Sequence, residues 1–319
     1  MTRPARPSSL GGRVFRGRDV VAAGLLTPKQ LRSSAWRRLF RGVYADAELP
    51  VTHNVAIAGA SLIVPASAAF SGRSAAYLLG VESLVDETTP VEEIVAEHDR
   101  FGRVAGLRIR RTRLPDSDVH SVRRYSCTTP TRTALDLACR EELPESVVAL
   151  DLLLRHSLVL ADDMVEAARA LPPGRGTRRA RTAVALADER AESPQESRLR
   201  VLLRTSGLAP VPQYVIRDAE GRFVARVDLA FPHQRVAIEY DGAWHGEPGQ
   251  LARDRRRCRP VAGAGDSPTG VREPPCEARS RRGGRSPPNG PAGSAQRRSG
   301  RPLVAVGARS ATMDTARRS

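Results

Sequence analysis

The stretch ARVDLAFPHQRVAIEYDGAWH, residues 225–245, constrains this chain more than any other. Two runs with a two-residue period flank Pro232-His233-Gln234-Arg235, the pattern of a hairpin with His233 and Gln234 at its tip. A two-residue loop pairs Val236 with Phe231, Ile238 with Leu229 and Tyr240 with Val227, which makes one face wholly apolar. On the other face Ala237 meets Ala230, Glu239 meets Asp228 and Asp241 meets Arg226. Directly opposed side chains sit about 5 Å apart at Cβ, so Asp228 and Glu239 are forced together. Two adjacent carboxylates raise each other's pKa unless a cation lies between them. A hairpin that buries one face and gathers acids on the other has the form of a divalent-metal site. The plainer reading is a solvated acidic face in which Arg226 neutralises Asp241.

VDLAFP, AIEYDG and the His that follows resemble the PD-(D/E)XK nuclease superfamily, and within it the Vsr-like endonuclease-domain branch common in actinobacterial proteins. The resemblance covers about Ser193 to Arg257. It implies a restriction-endonuclease-like α/β domain that cleaves DNA with Mg²⁺. Position by position, Asp228 matches the central metal-binding aspartate, Glu239 the acidic residue of the (D/E)XK element, and Glu196 the glutamate of the preceding helix. The usual lysine two residues after Glu239 is Asp241 here, which adds a third carboxylate to the metal set. Vsr-like relatives also lack that lysine. His245 then becomes the candidate for proton transfer or phosphate polarisation, a role open to a side chain with a pKa near 6.5. A surface His after a strand is the other reading.

Glu196 has a competing assignment. Ser193-Pro194-Gln195-Glu196 is a capping box, in which the carboxylate reaches back to the Ser193 N–H. The helix it opens, about 194–205, carries Leu199, Leu202 and Leu203 on one stripe, expected to pack on the apolar face of the hairpin. Mg²⁺ usually keeps several waters, so two carboxylates and a carbonyl suffice to hold it, and it assists phosphodiester hydrolysis by offsetting charge. Other metals find no motif. Cys127, Cys139, Cys258 and Cys276 form no CxxC pair, and six His show no HExxH spacing.

Residues 1–50 carry their own organisation. Arg18 to Ala23 suggests a short helix ended by Gly24, and Thr27-Pro28 opens a second one through about Ser34. Trp36 to Tyr44 reads as a hairpin bent near Gly42. Helices followed by a basic hairpin make a winged-helix-like module. RRLFRGVY resembles the N-terminal domain of AbiEi-type antitoxins and regulators, which bind DNA. The resemblance implies phosphate contacts by Arg32, Arg37, Arg38 and Arg41, which position a protein without reading sequence.

Residues 51–190 read as a helix over Ser71 to Leu79, strands over Val91 to Ala96 and Leu107 to Thr112, and four helical patterns from Thr131 onward. Pro172-Pro173-Gly174 breaks two of these helices. No catalytic constellation stands out, and His98, His120 and His156 read as surface or boundary residues.

From Arg259 the composition changes. These last residues hold 12 Arg, 9 Gly, 9 Ala, 8 Pro and 7 Ser, with Leu303 the single Leu and no Ile, Phe, Tyr or Trp. Such a segment cannot bury a core, and 259–319 is expected to be disordered. The chain has one Lys (Lys29), every other basic residue being Arg, as in very GC-rich genes. Arg, Gly, Pro, Ala and Ser are what GC-rich codons yield in a wrong frame, so the tail is read as a frameshift product. A basic tail for nucleic acid is the rival reading. Of the net charge of +16, the tail supplies +8 (12 Arg against 4 acids) and residues 1–50 another +7 (10 basic against 3 acids), leaving a nearly neutral body.

The expectation is therefore an α+β multidomain chain: a winged-helix-like module at 1–50, an α/β and helical middle at 51–190, an incomplete PD-(D/E)XK-like domain at 191–258, and the tail. Its expected activity is Mg²⁺-dependent DNA cleavage, impaired by loss of the nuclease domain's C-terminal part. A non-catalytic DNA-binding regulator or antitoxin of the AbiEi type is the alternative, and a degraded gene product the third reading. The expected partner is DNA, with any toxin or second copy unspecified. No apolar run approaches the ~18 residues of a membrane span, and scattered cysteines without a signal peptide point to the cytoplasm.

Overall fold

A computed structural model describes residues 6–241 and 304–309, the latter segment and Asp241 as backbone only. Its architecture is mixed α+β, with eight α-helices and three sheets among the described residues. The chain divides into two compact units, 1–189 and 190–319. No helix among the described residues is long and apolar enough to cross a membrane.

The first unit opens with β1 (Val14–Arg16), α1 (Gly17–Ala22), β2 (Trp36–Phe40) and β3 (Val43–Asp46), the strands forming a sheet in the order β1-β3-β2. Gly24 ends the α1 turn at φ +69°, and Gly42 makes the β2–β3 bend at φ +77°, both conformations that a Cβ disfavours. The helix expected after Thr27 is a single 3₁₀ turn, Gln30–Arg32. Thr27 and Gln30 cap each other, Thr27 Oγ1 accepting the Gln30 N–H at 3.2 Å and Gln30 Oε1 the Thr27 N–H at 2.7 Å. Ser33 then turns extended, ending the helix before it has a second turn. Phe15 stands edge-on to Trp36, ring centroids 5.2 Å apart, in a cluster with Leu10, Val20, Leu26 and Leu31.

α2 (His53–Ala60), β4 (Ala69–Phe70), α3 (Gly72–Leu78), β5 (Val91–Val95), β6 (Leu107–Arg111), β7 (Val119–Val122) and β8 (Tyr125–Thr128) follow. The five strands form one sheet in the order β6-β5-β4-β8-β7. Phe40 and Val43 of the N-terminal hairpin bury in the same cluster as Ile57, Ala60, Phe70, Val91 and Tyr125. α4 (Pro130–Arg140), α5 (Leu143–Arg155), α6 (Ala161–Ala170) and α7 (Thr177–Leu186) fall where helical periodicity placed them. Arg181 joins two of them, donating to the carbonyls of Ala168, Arg169 and Leu171 at the end of α6.

The second unit contains α8 (Pro194–Thr205), β9 (Val211–Arg217), β10 (Phe223–Phe231), β11 (Val236–Asp241) and β12 (Val304–Arg309). The sheet order is β12-β11-β10-β9. β10 and β11 pair through Phe231–Val236, Ala230–Ala237 and Leu229–Ile238, the register expected from a two-residue loop. Burial divides the faces less cleanly than expected. Leu229 and Val227 are buried, but so are Ala230 and Ala237 of the other face, because the small side chains pack with Tyr214. β12 corrects the expectation of a structureless tail for 304–309, which pair in parallel with β11 from Val236–Val304 onward. Parallel strands read as continuous apolar runs rather than alternations, and Val304-Ala305-Val306 is such a run.

Glu93 is the outlier of the first unit. It is 1% exposed, pairs across the strands with Phe70 and Ile109, and neither carboxylate oxygen has a hydrogen-bond partner. Burial pushes its pKa from 4.5 up to about 8. A raised acid costs nothing below its unfolded value; the cost grows from pH 4.5 to about 8 and is then constant. Glu93→Met should therefore leave stability near pH 4 little changed and raise it on the order of 4 kcal/mol at pH 8. Urea unfolding of both proteins across that range checks the difference; parallel pH profiles would refute it.

Candidate active site

The site is assembled from α8, β9 and β10. Ser193 caps α8, its hydroxyl accepting the Glu196 N–H at 3.2 Å, and Pro194 occupies the first turn, where no N–H is needed. The capping box reaches one residue further back than expected. Glu196 Oε2 accepts the N–H of Glu192, not of Ser193, at 3.0 Å, and also the Gln213 Nε2 at 2.8 Å. These donors permit a carboxylate only 7% exposed. The buried stripe of α8 is accordingly Glu196, Ser197, Arg200 and Val201, one face of a 3.6-residue helix. That corrects the expected leucine stripe: Leu202 is exposed, and Leu199 and Leu203 are half-buried.

Asp228 enters from β10. It is half-buried, and its Oδ2 accepts the Tyr240 N–H of β11 at 2.8 Å. Burial raises its pKa, the neighbouring Glu196 and Glu192 carboxylates push the same way, and the Tyr240 N–H and the Gln213 amide oppose them; the net direction is upward. The structure thus brings Asp228 and Glu196 together around Gln213. Glu239 lies on β11 with an exposed side chain. Arg226, expected to face Asp241, bonds Glu192 Oε2 at 2.9 Å. The Asp241 side chain and His245 lie outside the described residues.

Sequence reasoning missed Glu192 and Gln213. Glu192 precedes the cap and carries no pattern of its own. Gln213 sits in β9 at φ +50°, a left-handed conformation that no periodicity announces in a non-glycine residue.

The Glu196 carboxylate lies near enough to Asp228 to raise its pKa, and neighbouring carboxylates are the donor type of Mg²⁺, which takes one or two protein carboxylates beside water and phosphate oxygens. A group of three or more Asp, Glu, His or Cys placed to hold a metal does not occur among the described residues.

In the first unit, Arg32, Arg38 and Arg41 are exposed. Arg37 is half-buried and donates to the carbonyls of Leu49 and Ala47 at 2.8 and 2.9 Å, tying the hairpin to the chain that leaves it. His98 and His156 are exposed and His120 is half-buried. The charged recess of about 140 Å³ beside β5 has three of its four acids paired: Glu92 with Arg108 at 2.6 Å, Asp136 with Arg110, and Glu141 with Arg73 at 3.0 Å.

Two proteins of Mycobacterium tuberculosis are similar to this chain: uncharacterized protein MT2308 of strain CDC 1551 / Oshkosh and uncharacterized protein Rv2248 of strain ATCC 25618 / H37Rv. Each is 31% identical over 232 residues, 72% of this chain and 82% of the relative. The chain belongs to the family of these mycobacterial proteins. No family model matches it.

Because Asp228 is raised from its ordinary 3.8, its ionisation weakens the fold as pH climbs above that value. Asp228→Asn keeps an acceptor for the Tyr240 N–H and removes the like charge. Without divalent cations it should raise the urea midpoint at pH 7 and leave it unchanged near pH 3. A lower midpoint at pH 7 would contradict the electrostatic account.

Proposed function

We propose that this chain is a metal-dependent DNA endonuclease-like protein of the Vsr-like PD-(D/E)XK kind, with a winged-helix-like DNA-binding module at its N-terminus. The observation that carries the reading is the convergence of Glu196 from α8 and Asp228 from β10 on one amide, Gln213. A helix glutamate and a strand aspartate on a shared sheet form the acid pair that the sequence resemblance assigns to phosphodiester cleavage. A Mg²⁺ held by Asp228 and Glu196, with Glu239 and Asp241 as the further carboxylates of the motif, would offset charge on the scissile phosphate. His245 remains the proposed proton-transfer or phosphate-polarising group.

Activity of the 319-residue chain is proposed to be impaired, because sequence from 258 or 259 onward departs from what the resemblance implies. The decisive comparison sets this chain beside one translated in the restored frame after residue 257. The restored protein should nick or cut DNA only with Mg²⁺, and Asp228→Ala should abolish cleavage with the fold intact by circular dichroism. Cleavage by the Asp228→Ala protein at the parent rate would overturn the assignment.

A second reading, a non-catalytic DNA-binding regulator of the AbiEi type, is favoured by the exposed Arg32, Arg38 and Arg41 around the N-terminal hairpin. Each arginine that meets a phosphate contributes about −0.9 to the slope of log K against log salt. Replacing all three with Ala should flatten that slope by about 2.7. Arg37→Ala should instead lower stability, since its guanidinium is occupied by backbone carbonyls. An unchanged slope in the triple variant would show that this face does not touch DNA.

A further inference from the structure

Gln213 takes a conformation that a strand residue does not adopt without cause. Its φ is +50°, in the left-handed region that side chains with a Cβ disfavour. The β9–β10 ladder runs through Pro212–Leu229 and Tyr214–Val227, so Gln213 lies between registered pairs and level with Asp228. Its amide nitrogen donates to Glu196 Oε2 at 2.8 Å, and its side chain also hydrogen-bonds Asp228, lowering the pKa that burial raises. An amide NH₂ has two protons and no charge, enough to serve one oxygen of each acid. A strand needs none of this: an apolar β-branched residue would pair with β10 in ordinary extended geometry. The strained backbone is accounted for by what the side chain reaches.

We infer that Gln213 is a positioning residue, a neutral placeholder that holds Glu196 and Asp228 converged in the cation-free protein and yields them to a divalent cation. The inference rests on the proposed function for its cation, but not for the placeholder role itself. The amide offsets part of the repulsion between the two acids without competing as a full charge would, so the pair stays preorganised and open to exchange. A lysine there would fill the site permanently, and an apolar residue would leave the acids unscreened.

The test uses the full chain, Mn²⁺ as probe, and three proteins: the parent, Gln213→Lys and Gln213→Leu. Melting temperature is read with and without Mn²⁺, and Mn²⁺ binding by loss of the free-ion electron paramagnetic resonance signal. Without metal, the expected order of melting temperatures is Lys above Gln above Leu. Mn²⁺ should bind the parent and raise its melting temperature. The Lys variant should lose at least tenfold in affinity and show no shift. The Leu variant should show a larger Mn²⁺-induced shift than the parent. Metal-free melting temperatures that do not follow this order would overturn the placeholder role whatever the metal does. A correct order with no Mn²⁺ binding by the parent would sustain the role of Gln213 and refute the cation reading of the site. Equal Mn²⁺ binding by all three would place the cation elsewhere and overturn the inference. If the Leu variant fails to fold, the Lys variant alone still decides between displacement and indifference.

Discussion

A carboxylate taken out of water must be met by donors, and that requirement organises both units of this chain. Glu92 receives the Arg73 N–H at 2.8 Å and the Arg108 guanidinium at 2.6 Å, which ties α3 to β5 and β6. Asp136 holds Arg110 and Arg132, and so joins α4 to the same sheet. Asp46 accepts the Gly12 N–H at 2.8 Å and pairs with Arg6, closing the N-terminal sheet on the segment before it. Glu196 does the same for α8 and β9, with a backbone N–H and an amide in place of arginine. The difference is chemical. Arginine neutralises a carboxylate with a fixed, planar charge, whereas an N–H and an amide satisfy it while leaving it negative. Arginines answer these three acids of the first unit, and neutral donors answer Glu196.

The same contrast separates the charged recess of the first unit from the Glu196 site. That recess, beside β5, contains four acids, but the arginines of β6, α3 and α4 answer three of them. The fourth, Glu93, has no hydrogen-bond partner, and burial raises its pKa to about 8, which favours its protonated form.

The hairpin register was legible because alternation and turn chemistry agree, and a one-residue slip would have exchanged its faces. Helices α4 to α7 were legible for the same kind of reason, their apolar residues recurring at the helical period. What escaped was set by tertiary contact. β4 is a two-residue strand between β5 and β8, too short to show any period. The buried stripe of α8 begins with a glutamate, so a search for leucines chose the wrong face. The Thr27 turn had a sound cap but no second turn to stabilise, and propensity without packing did not extend it. Asp228 was found by its motif. Glu192 was not legible: it precedes the cap of α8, carries no pattern of its own, and still acts on Asp228.

Capping and ligation were rivals for Glu196 when only sequence was considered, because both roles call on one carboxylate. The geometry divides them. Both hydrogen bonds, from the Glu192 N–H and from Gln213, land on Oε2, and Oε1 takes part in neither. Two hydrogen bonds on one oxygen fix the orientation of the whole carboxylate. The helix start is then part of how the acid is held, and the stability of α8 and the chemistry of its first turn are linked through Ser193. Removing that cap with Ser193→Ala would loosen the first turn at a cost of about 1 kcal/mol. The acid would lose its fixed bearing toward Asp228 before the helix itself was lost.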